Sequence, residues 1–345
     1  LNFFIVQLAP GGPVDQMIAQ MSGQNAMATS RVAGSINLTQ TQSADQVSRS
    51  VADMKGTTGL DPEVIAAIEK EFGFDKPLSE RYFMMLSDYM VFDFGESFYQ
   101  DRRVVDLVVE RLPVSLSLGL WSMLLIYSLS IPLGIAKAVR DGSRFDAWTS
   151  GVIFVAYAMP GFLFAILLIV LFAGGSFLDL FPLKGLTSNN FKDLSFFDKI
   201  VDYFWHLALP VAAMAVGGFA TLTMLTKNSF LEEISKQFVL TARAKGLNSN
   251  QVLYGHVFRN AMLIVVAGFP SALIGVLFTS ALLIEVIFSL NGLGLLGFEA
   301  ILTRDYPIIF GTLFCFTFIG LILHLVGDFV YTLIDPRIDF ETREV

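Results

Sequence analysis

Five apolar stretches, at about 114–136, 148–172, 205–226, 263–289 and 308–333, punctuate the chain. Each is near the 20 or so residues that a helix needs to cross roughly 30 Å of hydrocarbon. The opening run Leu1-Asn2-Phe3-Phe4-Ile5-Val6 reads as the tail of a first span, so the pattern predicts six crossings. The polar segments between them alternate in character. Lys137, Arg140 and Arg144 follow the second span, and 173–204 carries four Asp and three Lys. The segment 227–260 holds five Lys/Arg (Lys227, Lys236, Arg243, Lys245, Arg259) against Glu232 and Glu233. Short loops rich in Lys and Arg stay on the cytoplasmic side. That places 227–260 and the tail 335–345 inside, 10–113, 173–204 and 290–307 outside, and both termini in the cytoplasm.

The outer region 10–113 divides in two. Ala9-Pro10-Gly11-Gly12-Pro13 breaks any helix, and 14–60, rich in Gln, Ser, Ala, Met and Thr, shows no sustained period and is expected to be irregular. From 61 to 112 helices are predicted. Asp61-Pro62-Glu63 has the order of an N-cap, a proline in the first turn and an acid, followed by the stripe Val64, Ile65, Ile68 and Phe72 with Gly73 as terminator. A second helix follows Pro77, with Leu78, Tyr82, Met85, Leu86 and Tyr89 on one face.

Composition fits this picture. Hydrophobic residues make up 54% and charged residues 16% of 345, and mean hydropathy is +0.62. A soluble chain of that length needs more charge to cover its surface. The net charge of −8 is uneven, with fifteen acids against nine bases in 10–112 and a net +3 in 227–260. This balance does not suit a nucleic-acid partner. The single Cys315 excludes a disulfide framework, and His206, His256 and His324 give little support for a metal site. No G-x-x-x-x-G-K-[ST] string occurs, so the chain has no P-loop of its own.

The basic segment 227–260 is predicted to fold as two short helices. Leu231, Ile234 and Phe238 recur at helical spacing after Ser229, a candidate cap. Gly246 ends that helix, and Ser249 is placed to cap a second one bearing Val252, Leu253 and Val257 on one side. An amphipathic helix held between two spans is suited to a groove in a soluble partner.

The string Thr241-Ala242-Arg243-Ala244-Lys245-Gly246, followed after nine residues by His256-Val257-Phe258-Arg259-Asn260-Ala261, resembles the cytoplasmic coupling loop of ABC-importer permeases, in its peptide-permease version. The general loop begins Glu-Ala-Ala; here Leu240-Thr241-Ala242 stand instead and no proline follows, as in the oligopeptide and dipeptide permeases. Phe72–Leu78, Phe92–Ser97, Glu285–Phe288, Asn291–Gly297, Arg304–Pro307, and Gly327-Asp328 through Asp335-Pro336-Arg337 extend the resemblance over nearly all of 61–340. The resemblance implies an all-α type I ABC importer transmembrane core at 114–334, in a bacterial inner membrane. It implies a second homologous permease, two cytoplasmic ATPase subunits or one fused ATPase, an extracytoplasmic peptide-binding protein, and short peptides or peptide-like compounds as cargo. ATP and magnesium would sit on the ATPase subunits, with no catalytic residue and no cofactor in this chain. ATPase coupling would fall to Ala242, Arg243, Ala244, Lys245, Gly246, Ser249, Val252, Leu253, His256 and Arg259. The acidic stretch 61–112 is expected to help receive the binding protein.

Other residues carry two readings. Prolines Pro132, Pro160, Pro210 and Pro270 either bend spans ordinarily or hinge a path, the latter assigned to Pro160, Pro210 and Pro270. Glu285 is an acid within a span; such residues face a cavity or a partner, so it is assigned to the path or a packing network, against an interfacial position. Gly292-Leu293-Gly294-Leu295-Leu296-Gly297 spells G-x-G-x-x-G outside any soluble strand–helix context, and is read with Asp305 as a close-packed turn at the outer mouth. His324 and Asp328, four apart, offer a proton relay in a rival ion-coupled transporter, or a contact between helices. A non-transporting membrane scaffold is the second rival.

Overall fold

The computed structural model describes residue 3 and residues 76–173, 177–275 and 281–334. The predicted helix at Asp61–Gly73, the irregular 14–60 and the tail 335–345 lie outside them. Among the described residues the chain is helical, apart from one isolated antiparallel bridge between Glu96 and Arg103. In chain order the helices are α1 (Leu78–Met90), α2 (Val104–Val139), α3 (Arg144–Ala158), α4 (Gly161–Phe172), α5 (Phe196–Ile234), α6 (Gln237–Ala244), α7 (Ser249–Val252), α8 (Phe258–Ala267), α9 (Phe269–Ile274), α10 (Ala281–Ile287), α11 (Leu293–Thr303) and α12 (Tyr306–Ile334).

The spans are longer and more broken than the hydropathy pattern predicts. Helices α2 and α5 have 36 and 39 residues, roughly 54 and 58 Å at 1.5 Å per residue, so both exceed the hydrocarbon layer. Pro113 and Pro132 lie inside α2 and Pro210 inside α5 without ending either helix. The apolar run 148–172 is instead two helices, α3 and α4, bent by 98° at Met159-Pro160. Pro160 disfavours helical geometry at Met159, which takes an extended ψ of 119°. The run 263–289 includes the second half of α8, then α9 and α10, with Pro270 near the start of α9.

The chain forms two compact units. In the larger, Val108–Leu296 with Phe314–Val345, glycines let helices meet. A Cβ on Gly134 would lie 2.6 Å from Thr226 Cβ, and one on Gly218 would lie 2.6 Å from Ile126 Cδ1, so α2 and α5 touch backbone to side chain at two levels. Such small-residue contacts drive helix association where lipid already solvates apolar surface. Gly327 of α12 likewise meets Pro270, whose Cγ would be 2.0 Å from an added Cβ. Leu118, Leu207, Met214, Ile284 and Phe288 form one apolar cluster of this unit.

The smaller unit, Leu1–Leu107 with Gly297–Leu313, contains α1. Tyr82, Met85 and Tyr89 are partly covered on it, while Leu78 and Leu86 of the predicted stripe are exposed. Phe94 and Val104 are buried here, and Gly311 is close enough that a Cβ would sit 2.7 Å from Val104 Cγ1.

Candidate coupling segment and translocation cavity

The polar segment after α5 begins differently from the sequence expectation. Ser229 is not a cap: it lies inside α5, and its hydroxyl donates to the Ala261 carbonyl of α8 at 2.6 Å. Leu231 and Ile234 therefore end α5, while Phe238 belongs to α6. Continuing the long helix satisfies backbone groups that a break at 229 would orphan.

Helix α6 ends at Gly246 as expected. The Gly246 N–H donates to Arg243 O at 2.9 Å and the Leu247 N–H to Ala242 O at 3.3 Å, the paired bonds of a Schellman turn. Gly246 supplies the positive φ, +86°. Helix α7 is capped by Asn248 rather than Ser249: Asn248 Oδ1 accepts the Gln251 N–H at 2.9 Å, and Gln251 Oε1 accepts the Asn248 N–H at 3.0 Å. Both residues are good caps, and the reciprocal Gln three positions on selects Asn248. A π-helical turn, Leu253–Val257, joins α7 to α8; such turns are rare in helices.

Burial sorts the segment into two faces. Val239, Ala242, Val252 and Val257 are buried in a cluster with Ile135 and Ala138 of α2 and Phe230 of α5, and Leu253 packs against it. Arg243, Ala244, Lys245, Gly246, Ser249, His256 and Arg259 are exposed, as are Leu240 and Tyr254, which sequence reading passed over. Of the five bases, Lys236 is neutralised by Glu233 and Glu232, and Lys227 faces inward. Arg243, Lys245 and Arg259 form no ion pair among the described residues, and with Lys227 turned inward the remaining four bases and two acids leave the outward side a net +2.

Lys227 joins a buried charge cluster that sequence reasoning missed. Its Nζ lies 2.7 Å from Asp146 Oδ2 and 2.8 Å from Asp141 Oδ1. Lys137 Nζ lies 2.9 Å from Asp146 Oδ1 and donates to Thr149 Oγ1 and Ser150 Oγ, each at 2.8 Å. Lys137, expected in a loop, is a fully buried residue of α2, because α2 runs past the apolar run to Val139. Two lysines and two aspartates balance, and they tie α2, the start of α3 and the end of α5 together. Ser143 caps α3 through the Asp146 N–H, at 3.2 Å, and was the one local sign of this arrangement.

Glu285 is fully buried. Oε1 accepts from Ser115 Oγ at 2.8 Å and Oε2 from the Leu295 N–H at 2.7 Å, while the Leu293 N–H donates to Ser115 Oγ at 2.8 Å. The carboxylate thus fills the N-terminus of α11, where backbone N–H groups favour an anion. Glycine is needed beside it: a Cβ on Gly292 would lie 2.1 Å from Oε1, and one on Gly294 would be 3.0 Å from Oε2. The G-x-G-x-x-G string wraps a carboxylate of its own chain.

Asp305 belongs to the smaller unit. Ser97 Oγ donates to its Oδ2 at 2.5 Å, joining residues 208 apart. Burial pushes its carboxyl above the usual aspartate range, opposed by the Ser97 hydroxyl and by the Phe98, Ile308 and Tyr99 amides.

The larger unit forms a partly open cavity of about 640 Å³, within the range of ligand pockets. Its lining includes Tyr127 of α2, Phe162 of α4, Met214, Gly217 and Thr221 of α5, and Leu283 of α10, with no charged side chain among the described residues. Of the residues assigned to the path, Pro160, Pro210, Pro270 and Glu285 are all absent from the lining, although the adjoining Gly161 and Ile284 belong to it. His324 and Asp328 are exposed on α12.

Comparison with known proteins follows this geometry. The family described as "Binding-protein-dependent transport system inner membrane component" matches residues 130–340. The peptidoglycan transport system permease protein YejB of Agrobacterium fabrum is 57% identical, covering 100% of this chain and 94% of the relative. The inner membrane ABC transporter permease protein YejB of Escherichia coli O157:H7 is 59% identical, over 99% of this chain and 94% of the relative. In fold, the chain is similar to a solved inward-facing MetNI methionine ABC transporter at a TM-score of 0.51 and 15% identity, covering 67% of this chain and 97% of that one.

Proposed function

The chain belongs to the family of binding-protein-dependent transport system inner membrane components, and from this premise we propose that it moves short peptides or peptide-like compounds along the α5-walled cavity, driven through the segment 227–260. As an inner-membrane permease component of an ABC importer it works with other transporter subunits, and ATP hydrolysis resides in separate subunits. The partners proposed are a second homologous permease, two ATPase subunits or one fused ATPase carrying ATP and magnesium, and an extracytoplasmic peptide-binding protein. Both termini are proposed to be cytoplasmic, by the basic loops.

One observation carries the coupling assignment: the segment is anchored by one face and presents the other. Val239, Ala242, Val252 and Val257 fix it to α2 and α5, while Arg243, Lys245, His256 and Arg259 point outward. A rigid, basic, outward face suits an acidic groove on an ATPase subunit. The buried charge cluster ties the end of α5, next to this face, to α3, so a push on the segment reaches the bent α3–α4 pair beside the cavity.

The cargo class rests on the resemblance to peptide permeases and on one relative's name, a peptidoglycan transport permease. Reconstituting the complex and replacing Arg243, Lys245 and Arg259 together by Glu tests the coupling face. Loss of ATPase co-purification and of peptide uptake, with normal membrane insertion, is expected. Unchanged uptake would remove the segment from the coupling role. Supplying oligoalanine and a muropeptide in competition decides between the two kinds of cargo.

A further inference from the structure

Two adjacent glycines face the α2–α5 region, and they do different things. Gly218 is demanded by packing, since a Cβ there would lie 2.6 Å from Ile126 Cδ1. At Gly217 a Cβ would meet no heavy atom within 4 Å, and its φ is not in the left-handed region. Glycine in a helix interior costs stability relative to alanine, and neither contact nor backbone conformation requires it at 217. What Gly217 leaves is space, because it lines the cavity midway along the α5 wall between Met214 and Thr221.

The same wall offers cargo no charge. Among the described residues no lining side chain is charged, and the Thr221 hydroxyl donates to its own helix at Gly217 O, 3.2 Å away. The Tyr127 hydroxyl is 3.5 Å from the Val265 carbonyl. A surface of this kind discriminates by volume, since an apolar pocket rejects poorly on anything but size and shape.

We propose that Gly217 sets the size limit of the cargo: its missing side chain determines the bulkiest peptide that passes, without selection on peptide charge. This rests on the reading that the cavity is the path.

The test is a graded series, Gly217→Ala and Gly217→Leu, in the complete reconstituted complex. Neither variant meets a neighbour at its Cβ, and both residues favour helix more than glycine does, so membrane insertion and assembly are expected to be normal. Uptake would be measured for tri-, tetra- and pentaalanine, for a tryptophan-bearing tripeptide, and for lysine- and glutamate-bearing tripeptides matched in size. Gly217→Leu should lower uptake of the bulkiest peptides by about tenfold or more relative to trialanine, with alanine intermediate and the two charged peptides affected alike. An equal loss for every peptide would overturn the size limit while leaving the cavity as the path. Unchanged uptake of every peptide in Gly217→Leu would overturn the cavity reading and the proposal with it. A difference between the lysine and glutamate peptides would overturn the claim of indifference to charge.

Discussion

Replacing Gly246 by valine isolates the mechanical part of the proposed coupling segment from its contact surface. Gly246 has a φ of +86°, and a Cβ built there meets nothing within 4 Å, so the cost of substitution is backbone strain with no clash added. An L-residue in left-handed geometry costs about 1–2 kcal/mol, and strain at such positions runs to about 3 kcal/mol, valine being at the upper end because it is β-branched. Relaxing that strain means giving up the two Schellman bonds, from Gly246 to Arg243 and from Leu247 to Ala242. The angle between α6 and α7 then changes while Val239 and Val252 remain in their apolar cluster. The spans are untouched, so Gly246→Val should insert and accumulate normally. The assay is peptide uptake and binding-protein-stimulated ATPase activity of the reconstituted complex, with ATPase co-purification as control. Gly246→Asn, which tolerates left-handed backbone, should retain much of the wild-type coupling, and Gly246→Val should lose most of it. Wild-type uptake per ATP in Gly246→Val would refute the reasoning, as would equal defects in the valine and asparagine variants.

Three further outcomes are expected. Gly292→Ala forces the Glu285 carboxylate away from its amide and Ser115 donors; losing charge-assisted bonds costs about 2–3 kcal/mol, so thermal inactivation should come at lower temperature, whereas Gly297→Ala, whose nearest contact would be 3.9 Å away, should melt close to wild type. Asp146→Asn leaves Lys137 and Lys227 without their shared carboxylate; breaking a buried pair on one side costs about 3–5 kcal/mol, read as reduced detergent stability. Asp141→Asn, at the half-exposed end of the same cluster, should cost much less, and equal losses in the two variants would contradict the arrangement.

How much was legible in the sequence depended on the range of the interaction. Apolar runs, the basic bias of 227–260 and the terminator Gly246 are readable because each rests on residues that are neighbours in the chain. The family resemblance was readable for the same reason, as short strings in order. Where local signals tied, sequence reading chose wrongly: Ser249 and Asn248 are both good caps, and Gln251 decided between them. Ser229 had the chemistry of a cap, but α5 gained more by continuing, with the Ser229 hydroxyl turned to Ala261.

Tertiary structure decided the pairings between distant residues. One chain's composition says nothing of which helix faces meet, so Lys137 looked like a loop cation until α2 and α3 placed it on Asp146, with Lys227 arriving from α5. Ser115 and Glu285 are 170 positions apart, and Ser97 and Asp305 are 208 apart. No period or spacing joins them; they meet because a buried carboxylate is stable only where donors converge on it. The difference between Gly217 and Gly218 belongs here too. In the sequence they are two identical letters, and only the packing of α2 against α5 makes one a contact and the other a space.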